Sequence, residues 1–233
     1  MMKRASALFV LMFWFLAKAQ CQNLMNASNA VVWVGLDYSM VKMIGREKSD
    51  SGFGFTDRAK ILSTMPAKWN MLFLGERIEA VSKALGKDIE VDISTVTERN
   101  KKLTTNQIVL TKNIRELAPQ PNVTIADIAN TVQDYSLINT NGVGLVFIVD
   151  KLIESSFNPP FHNPNSGSVF VVLFDISTRK VLYANREEFE IKTGGNFQNF
   201  WFGPIKDADE TLVRFQYAKK TSAITTPIRP RSK

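Results

Sequence analysis

A chain of 233 residues, 45% of them hydrophobic, can bury one sizeable core. Its formal charge is +7, from 29 basic and 22 acidic side chains. Lys3, Arg4 and Lys18 near the start and Lys219, Lys220, Arg229, Arg231 and Lys233 near the end account for that excess, so the body is close to neutral. Nucleic-acid binding needs a basic surface that neutralises several phosphates, and no nucleic-acid partner is expected. With one cysteine, Cys21, and one histidine, His162, the chain can form no internal disulfide and no zinc site of three or four Cys/His ligands. No metal and no cofactor is expected.

Residues 1–19 read as a secretory signal peptide. Lys3 and Arg4 form its charged start, residues 5–16 its apolar segment, and Ala17-Lys18-Ala19 its small-x-small cleavage pattern. The apolar segment is too short for a comfortable membrane span, so no stable span is expected after cleavage. A lipoprotein signal wants a small residue just before the cysteine and a leucine three before it. Gln20 and Lys18 stand there, so lipid at Cys21 is not expected. The mature chain is expected to be exported, periplasmic or secreted. A linker over 20–29 leads to a single domain over 30–218, and a basic tail over 219–233 carries two prolines and no apolar periodicity.

Within the domain, residues 30–37 predict the first strand, and 38–45 stay extended or turn. A short helix is expected over 57–64. Pro66 suits the first turn of a longer helix over 67–85, where its missing N–H costs nothing. Met71, Leu74, Ile78, Val81 and Leu85 give that helix an apolar stripe, and Gly86 caps its end. Residues 89–93 and 107–111 read as short strands around a helical turn at 95–103. Thr124, with Asp127 three residues on, opens a helix whose buried stripe is Ile125, Ile128, Val132 and Tyr135.

The segment 143–192 organises the rest. It predicts three strands, 144–153, 168–175 and 180–192. The first two carry near-continuous apolar runs, which fit strands covered on both faces at the centre of a sheet. The third alternates from Glu188 onward and fits an edge. The six residues from Asp175 to Lys180 join the last two as a hairpin. Pro204 is expected to start a final helix with Ile205, Ala208, Leu212 and Phe215 on one face. The expected fold is α/β, with α+β as the alternative: one domain, a mixed sheet with an antiparallel three-strand unit at 143–192, and helices packed on it.

Three groupings carry candidate chemistry. Ser39-x-x-Lys42, Ser156-Phe157-Asn158 and Lys192-Thr193-Gly194 match, in order, the short motifs of penicillin-binding proteins and serine β-lactamases. That chemistry needs the serine at the start of a buried helix, with the lysine one turn later. Here Ser39 follows a strand, so the structural reading is a turn. Asp37, Asp92, Asp150 and Asp175 each stand at or near the end of a strand. Together they could hold a cation or act as an acid–base pair; separately they are ordinary turn-formers. Phe197, Phe200 and Trp201 either seat the last helix or line an aromatic ligand groove. His162 falls in a Pro/Asn loop with no nucleophile beside it.

The stretch Val32-Trp33-Val34-Gly35-Leu36-Asp37-Tyr38-Ser39-Met40-Val41-Lys42 resembles the start of uncharacterised exported proteins of the Bacteroidetes type. The hairpin with Phe174-Asp175 and Lys180-Val181-Leu182, then Gly194-Gly195-Asn196-Phe197 with Phe200-Trp201, is similar to the same pattern. It is also distantly similar to small α/β domains of cell-envelope accessory lipoproteins. The resemblance implies an exported accessory domain and assigns no activity. The function expected is therefore a non-catalytic binding component of the cell envelope, its partner an envelope protein or a small ligand. The alternatives are a hydrolase or acyl-transferring enzyme using Ser39 and Lys42 or a carboxylate cluster with Asp37, or a small-ligand carrier lined by Phe197, Phe200 and Trp201.

Overall fold

The computed structural model describes residues 30–47, 54–112, 122–154, 165–191, 196–208 and 211–212. The expected leader, linker and tail, Cys21, His162, Ser156-Phe157-Asn158, Lys192-Thr193-Gly194 and Phe215 lie outside them. Among the described residues, strands β1 (Ala30–Asp37), β2 (Lys42–Arg46), β3 (Asp88–Val91), β4 (Ile108–Thr111), β5 (Val143–Ile153), β6 (Asn165–Asp175) and β7 (Val181–Ile191) form one sheet. The helices are α1 (Arg58–Glu76), α2 (Ile78–Leu85), α3 (Ser94–Asn100), α4 (Ile125–Gln133) and α5 (Phe197–Asp207).

β5 is the spine. Along one edge it pairs in parallel first with β1, from Val31 against Val143 to Asp37 against Ile148, and then with β2, from Lys42 against Lys151 to Ile44 against Ile153. β1 and β2 thus lie end to end on the same edge. β3 extends the sheet beyond β1 and β4 extends it beyond β2, both in parallel. The other edge of β5 pairs antiparallel with β6, and β6 with β7.

The expectation of a sheet built on an antiparallel three-strand unit is corrected by these pairings. That unit forms, but only as one margin. The larger part is a parallel block in the order β3-β1-β5-β2-β4, which removes the α+β alternative. Parallel neighbours need long crossovers, and the helical stretches around β3 and β4 supply them. β5 and β6 are buried over nearly their whole lengths, as their apolar runs require. β7 exposes Glu188 and Glu190 and buries Ile191, as an edge strand does.

Each face of the sheet carries an apolar layer. On one, Trp33, Leu145 and Phe147 meet Trp69 and Phe73 of α1, Val81 and Leu85 of α2, and Trp201 of α5. On the other, Val34, Val146, Ile148, Val172 and Phe174 meet Val96 of α3 and Ile128 and Val132 of α4.

Several helical expectations change. Pro66 lies inside α1, because Asp57 already caps that helix by accepting from the Lys60 N–H. The helix then breaks at Arg77, and Gly86 caps α2 in the left-handed conformation. Met71 is 64% exposed, while Trp69 and Phe73 carry the buried side. The last helix starts at Phe197, with Asn196 accepting from the Asn199 N–H as its cap, and Pro204 falls within it. Thr124 and Asp127 form the expected capping box of α4, but Ile125 is exposed.

Candidate functional site

The interruption between β1 and β2 gathers the polar residues. β3 ends at Val91, so the last backbone groups of β1 have no strand beside them on that edge. Two buried amides take the strand's place. Asn70 of α1 accepts from the Leu36 N–H at 2.8 Å and donates to the Leu36 carbonyl at 3.0 Å. Asn100 of α3 donates to that same carbonyl at 2.9 Å and accepts from the Tyr38 N–H, also at 2.9 Å. A buried backbone group without a partner is costly, so these asparagines fix where α1 and α3 sit. Gly35 lets them come close: its φ is +115°, and a Cβ there would lie 2.6 Å from Val96 and 2.8 Å from the Asn70 side chain.

Asp37 closes β1 fully buried. Its Oδ1 accepts from the Ser39 N–H at 2.7 Å. Its Oδ2 accepts from Arg99 Nε at 3.1 Å and from the Tyr135 hydroxyl at 2.8 Å. Arg99 Nη2 donates to Ser39 Oγ at 3.0 Å, and the guanidinium lies 5.4 Å from the centre of the Tyr135 ring. Burial, and then the neighbouring Asp37 carboxylate, push the Tyr135 hydroxyl well above its ordinary pKa.

A second buried carboxylate, Asp150, sits where β5 slips register against β6. Its Oδ2 accepts from Ser168 Oγ at 2.9 Å and from Arg186 Nη2 and Nε at 2.6 and 3.0 Å. By alternation along the strands, Asp37 and Asp150 both lie on the α4 face, each matched to its own arginine.

The other two strand-end acids are turn-formers. Asp92 accepts from the Ser94 and Ile138 N–H groups. Asp175 lies at the opposite end of β5, against Val143. Burial pushes its carboxyl up, but the Ser177 hydroxyl and the N–H groups of Thr178 and Ser177 together hold it below the usual carboxylate range. The described residues contain no group of three or more His, Cys, Asp or Glu placed to hold a metal ion.

Ser39 and Lys42 are held by different partners. Ser39 lies in a turn closed by the Val41 N–H to Tyr38 carbonyl bond at 3.0 Å, and its hydroxyl faces Arg99. Lys42 begins β2, and its Nζ donates to the Asn106 carbonyl at 3.3 Å. Phe200 and Trp201 are buried and Phe197 partly so. Phe55 packs tilted against Trp201 with ring centres 4.5 Å apart and meets Phe197 at 6.1 Å, and Trp69 donates its indole N–H to the Gln198 carbonyl at 2.8 Å. The aromatic segment therefore seats α5 on α1. An open groove lies elsewhere, between α1 and α3 with the segment that follows it, with a volume of 690 Å³.

Sequence reasoning singled out Asp37, Ser39 and Lys42 but not Arg99, Arg186, Asn70 or Asn100. A buried aspartate at the end of an apolar strand demands a cation or several donors; that signal was present, without saying which cation answers it.

No protein-family model matches this chain, and no curated protein matches it. The solved structures that align with it include lipoprotein GNA1162 from Neisseria meningitidis, with 12% identity and a TM-score of 0.29, and the hypothetical protein CT253 from Chlamydia trachomatis, with 13% identity and a TM-score of 0.31. Each alignment covers 86% of this chain and 99% of the other. Neither similarity is close enough to transfer an activity.

Proposed function

We propose that this chain is an exported, non-catalytic accessory domain of the cell envelope that works by binding another envelope protein. The observation that supports this reading most is how its reactive side chains are used. Asp37 is consumed by Arg99, Tyr135 and the Ser39 N–H. The Ser39 hydroxyl accepts from a guanidinium, and among the described residues it makes no hydrogen bond to a base of the kind a nucleophile requires. The Lys42 ammonium is occupied by a backbone carbonyl. These groups organise the end of β1.

Export rests on the leader pattern in residues 1–19. No helix among the described residues is long and apolar enough to cross a membrane. The surface offered to a partner is the β3 margin. Among the described strands β3 pairs with β1 alone, and Val91 there is 51% exposed. An open strand edge is a ready template for a further strand.

Cell fractionation combined with a photo-crosslinking residue at position 91 tests the reading. The chain is expected outside the cytoplasm, with a discrete adduct from position 91 and none from position 180 on the distant hairpin turn. Retention in the cytoplasm, the absence of an adduct, or a fluorophosphonate label that disappears in Ser39→Ala overturns it.

A further inference from the structure

The groove between α1 and α3 has a chemical character that the domain's other polar clusters lack. On α1, Leu62, Pro66, Ala67 and Met71 line it; Ile93 and Leu103 face them from either end of α3. Its volume of 690 Å³ falls within the roughly 300–1,000 Å³ of small-molecule sites. Met71 is exposed at its wall, and methionine adapts its shape to apolar ligands of differing outline. The amides of Asn70 and Asn100 in the floor are spent on the β1 backbone, which leaves the apolar walls to do the binding.

Charge in the groove is one-sided. Among the described residues that line it, Lys101 is the sole charged one and none is a carboxylate. Thr104 and Thr105 flank that end with hydroxyls. The Lys101 ammonium is balanced from outside the groove by Glu98, at 2.6 Å on the exposed helix surface. Exposed pairs of this kind hold weakly, so an anion arriving in the groove can replace Glu98 at little cost.

We propose that this groove is a binding site for a single-chain anionic amphiphile, a fatty-acid-like molecule. Its chain lies along the Leu62–Pro66–Met71 wall, and its carboxylate meets Lys101. The site is independent of the export and strand-edge readings: it would bind in any compartment, and it does not involve Val91.

The test uses the full chain and the fluorescent fatty acid cis-parinaric acid, kept below its self-association concentration. Saturable fluorescence enhancement, displaced by dodecanoate, is expected. Ala67→Trp fills the groove from an exposed helix position and should weaken binding roughly tenfold or more. Met71→Glu, which places a carboxylate in the wall, serves as the second variant should the first fail to fold. Lys101→Glu should weaken dodecanoate about three- to tenfold and leave dodecanol unchanged, whereas Glu98→Gln should tighten dodecanoate. No saturable binding, or binding indifferent to a folded Ala67→Trp or Met71→Glu, overturns the site. Equal response of acid and alcohol to Lys101→Glu overturns the assignment of an anionic head.

Discussion

Tyr38 and Tyr135 are neighbours in role but opposite in satisfaction. The Tyr135 hydroxyl donates to Asp37. The Tyr38 ring stacks 5.3 Å from Trp69, and its buried hydroxyl has no hydrogen-bond partner among the described residues. An unsatisfied buried hydroxyl costs about 1–3 kcal/mol. Tyr38→Phe is therefore expected to raise stability by about 1–2 kcal/mol at neutral pH, read from the urea midpoint at constant slope. The same residues set an alkaline limit. Burial raises the folded pKa of Tyr38 well above its ordinary 10.0, and burial with the Asp37 charge does so for Tyr135. A raised pKa means that the folded state keeps its proton longer than the unfolded chain. Stability from each group is thus complete below pH 10.0 and is lost as pH rises beyond it, at about 1.4 kcal/mol per pH unit per tyrosine. Tyr38→Phe should lose stability less steeply than the parent above that pH; equal slopes would refute the assignment.

At the scale of elements, α3 is short, yet it carries two consecutive residues that hold the end of β1. Arg99 pairs with Asp37, and Asn100 replaces a missing strand against Leu36 and Tyr38. Breaking a buried pair costs about 3–5 kcal/mol. Arg99 is 22% exposed, so Arg99→Ala should cost somewhat less, roughly 2–4 kcal/mol. Asn100→Ala strips a partner from the Tyr38 N–H and should cost about 1–3 kcal/mol. Urea unfolding of both variants checks this, and losses under about 0.5 kcal/mol, the scale of an ordinary surface change, would show that α3 is not a clamp. Little of this clamp was legible in the sequence. Asp37 stood out because it ends an apolar run, but its cation lies 62 positions away, and one-dimensional spacing does not encode such a contact. β2 was equally hidden: Lys42, Gly45 and Arg46 break any alternation, and the segment becomes a strand because β5 runs on past Asp150 and offers it an edge. β5, β6 and the α4 cap were legible because each rests on neighbouring residues. Pro66 was misplaced because Asp57, a better cap, stands further upstream.

Over the whole molecule, the sheet joins two kinds of pairing with different closure costs. β5, β6 and β7 follow one another in the chain and pair antiparallel, so their contacts close comparatively short loops. β1 must find β5 across most of the described chain, Val31 against Val143. Loop-closure entropy falls on such a pairing before its contacts compensate. The β5–β6–β7 unit is therefore expected to form first and to serve as the template on which β1 and then β2 dock along a single edge. Pulse-labelled hydrogen exchange during refolding tests this order. Amides of Val171 and Leu173 in β6 should gain protection before those of Val32 and Val34 in β1 and Met43 in β2. Substitution should agree: Val172→Ala should mainly slow folding, and Val34→Ala should mainly speed unfolding. If β1 and β6 gain protection together, or if Val34→Ala slows folding as much as Val172→Ala, the parallel pairing belongs to the nucleus. β5 would then be organised by β1 from the start rather than by the hairpin beside it.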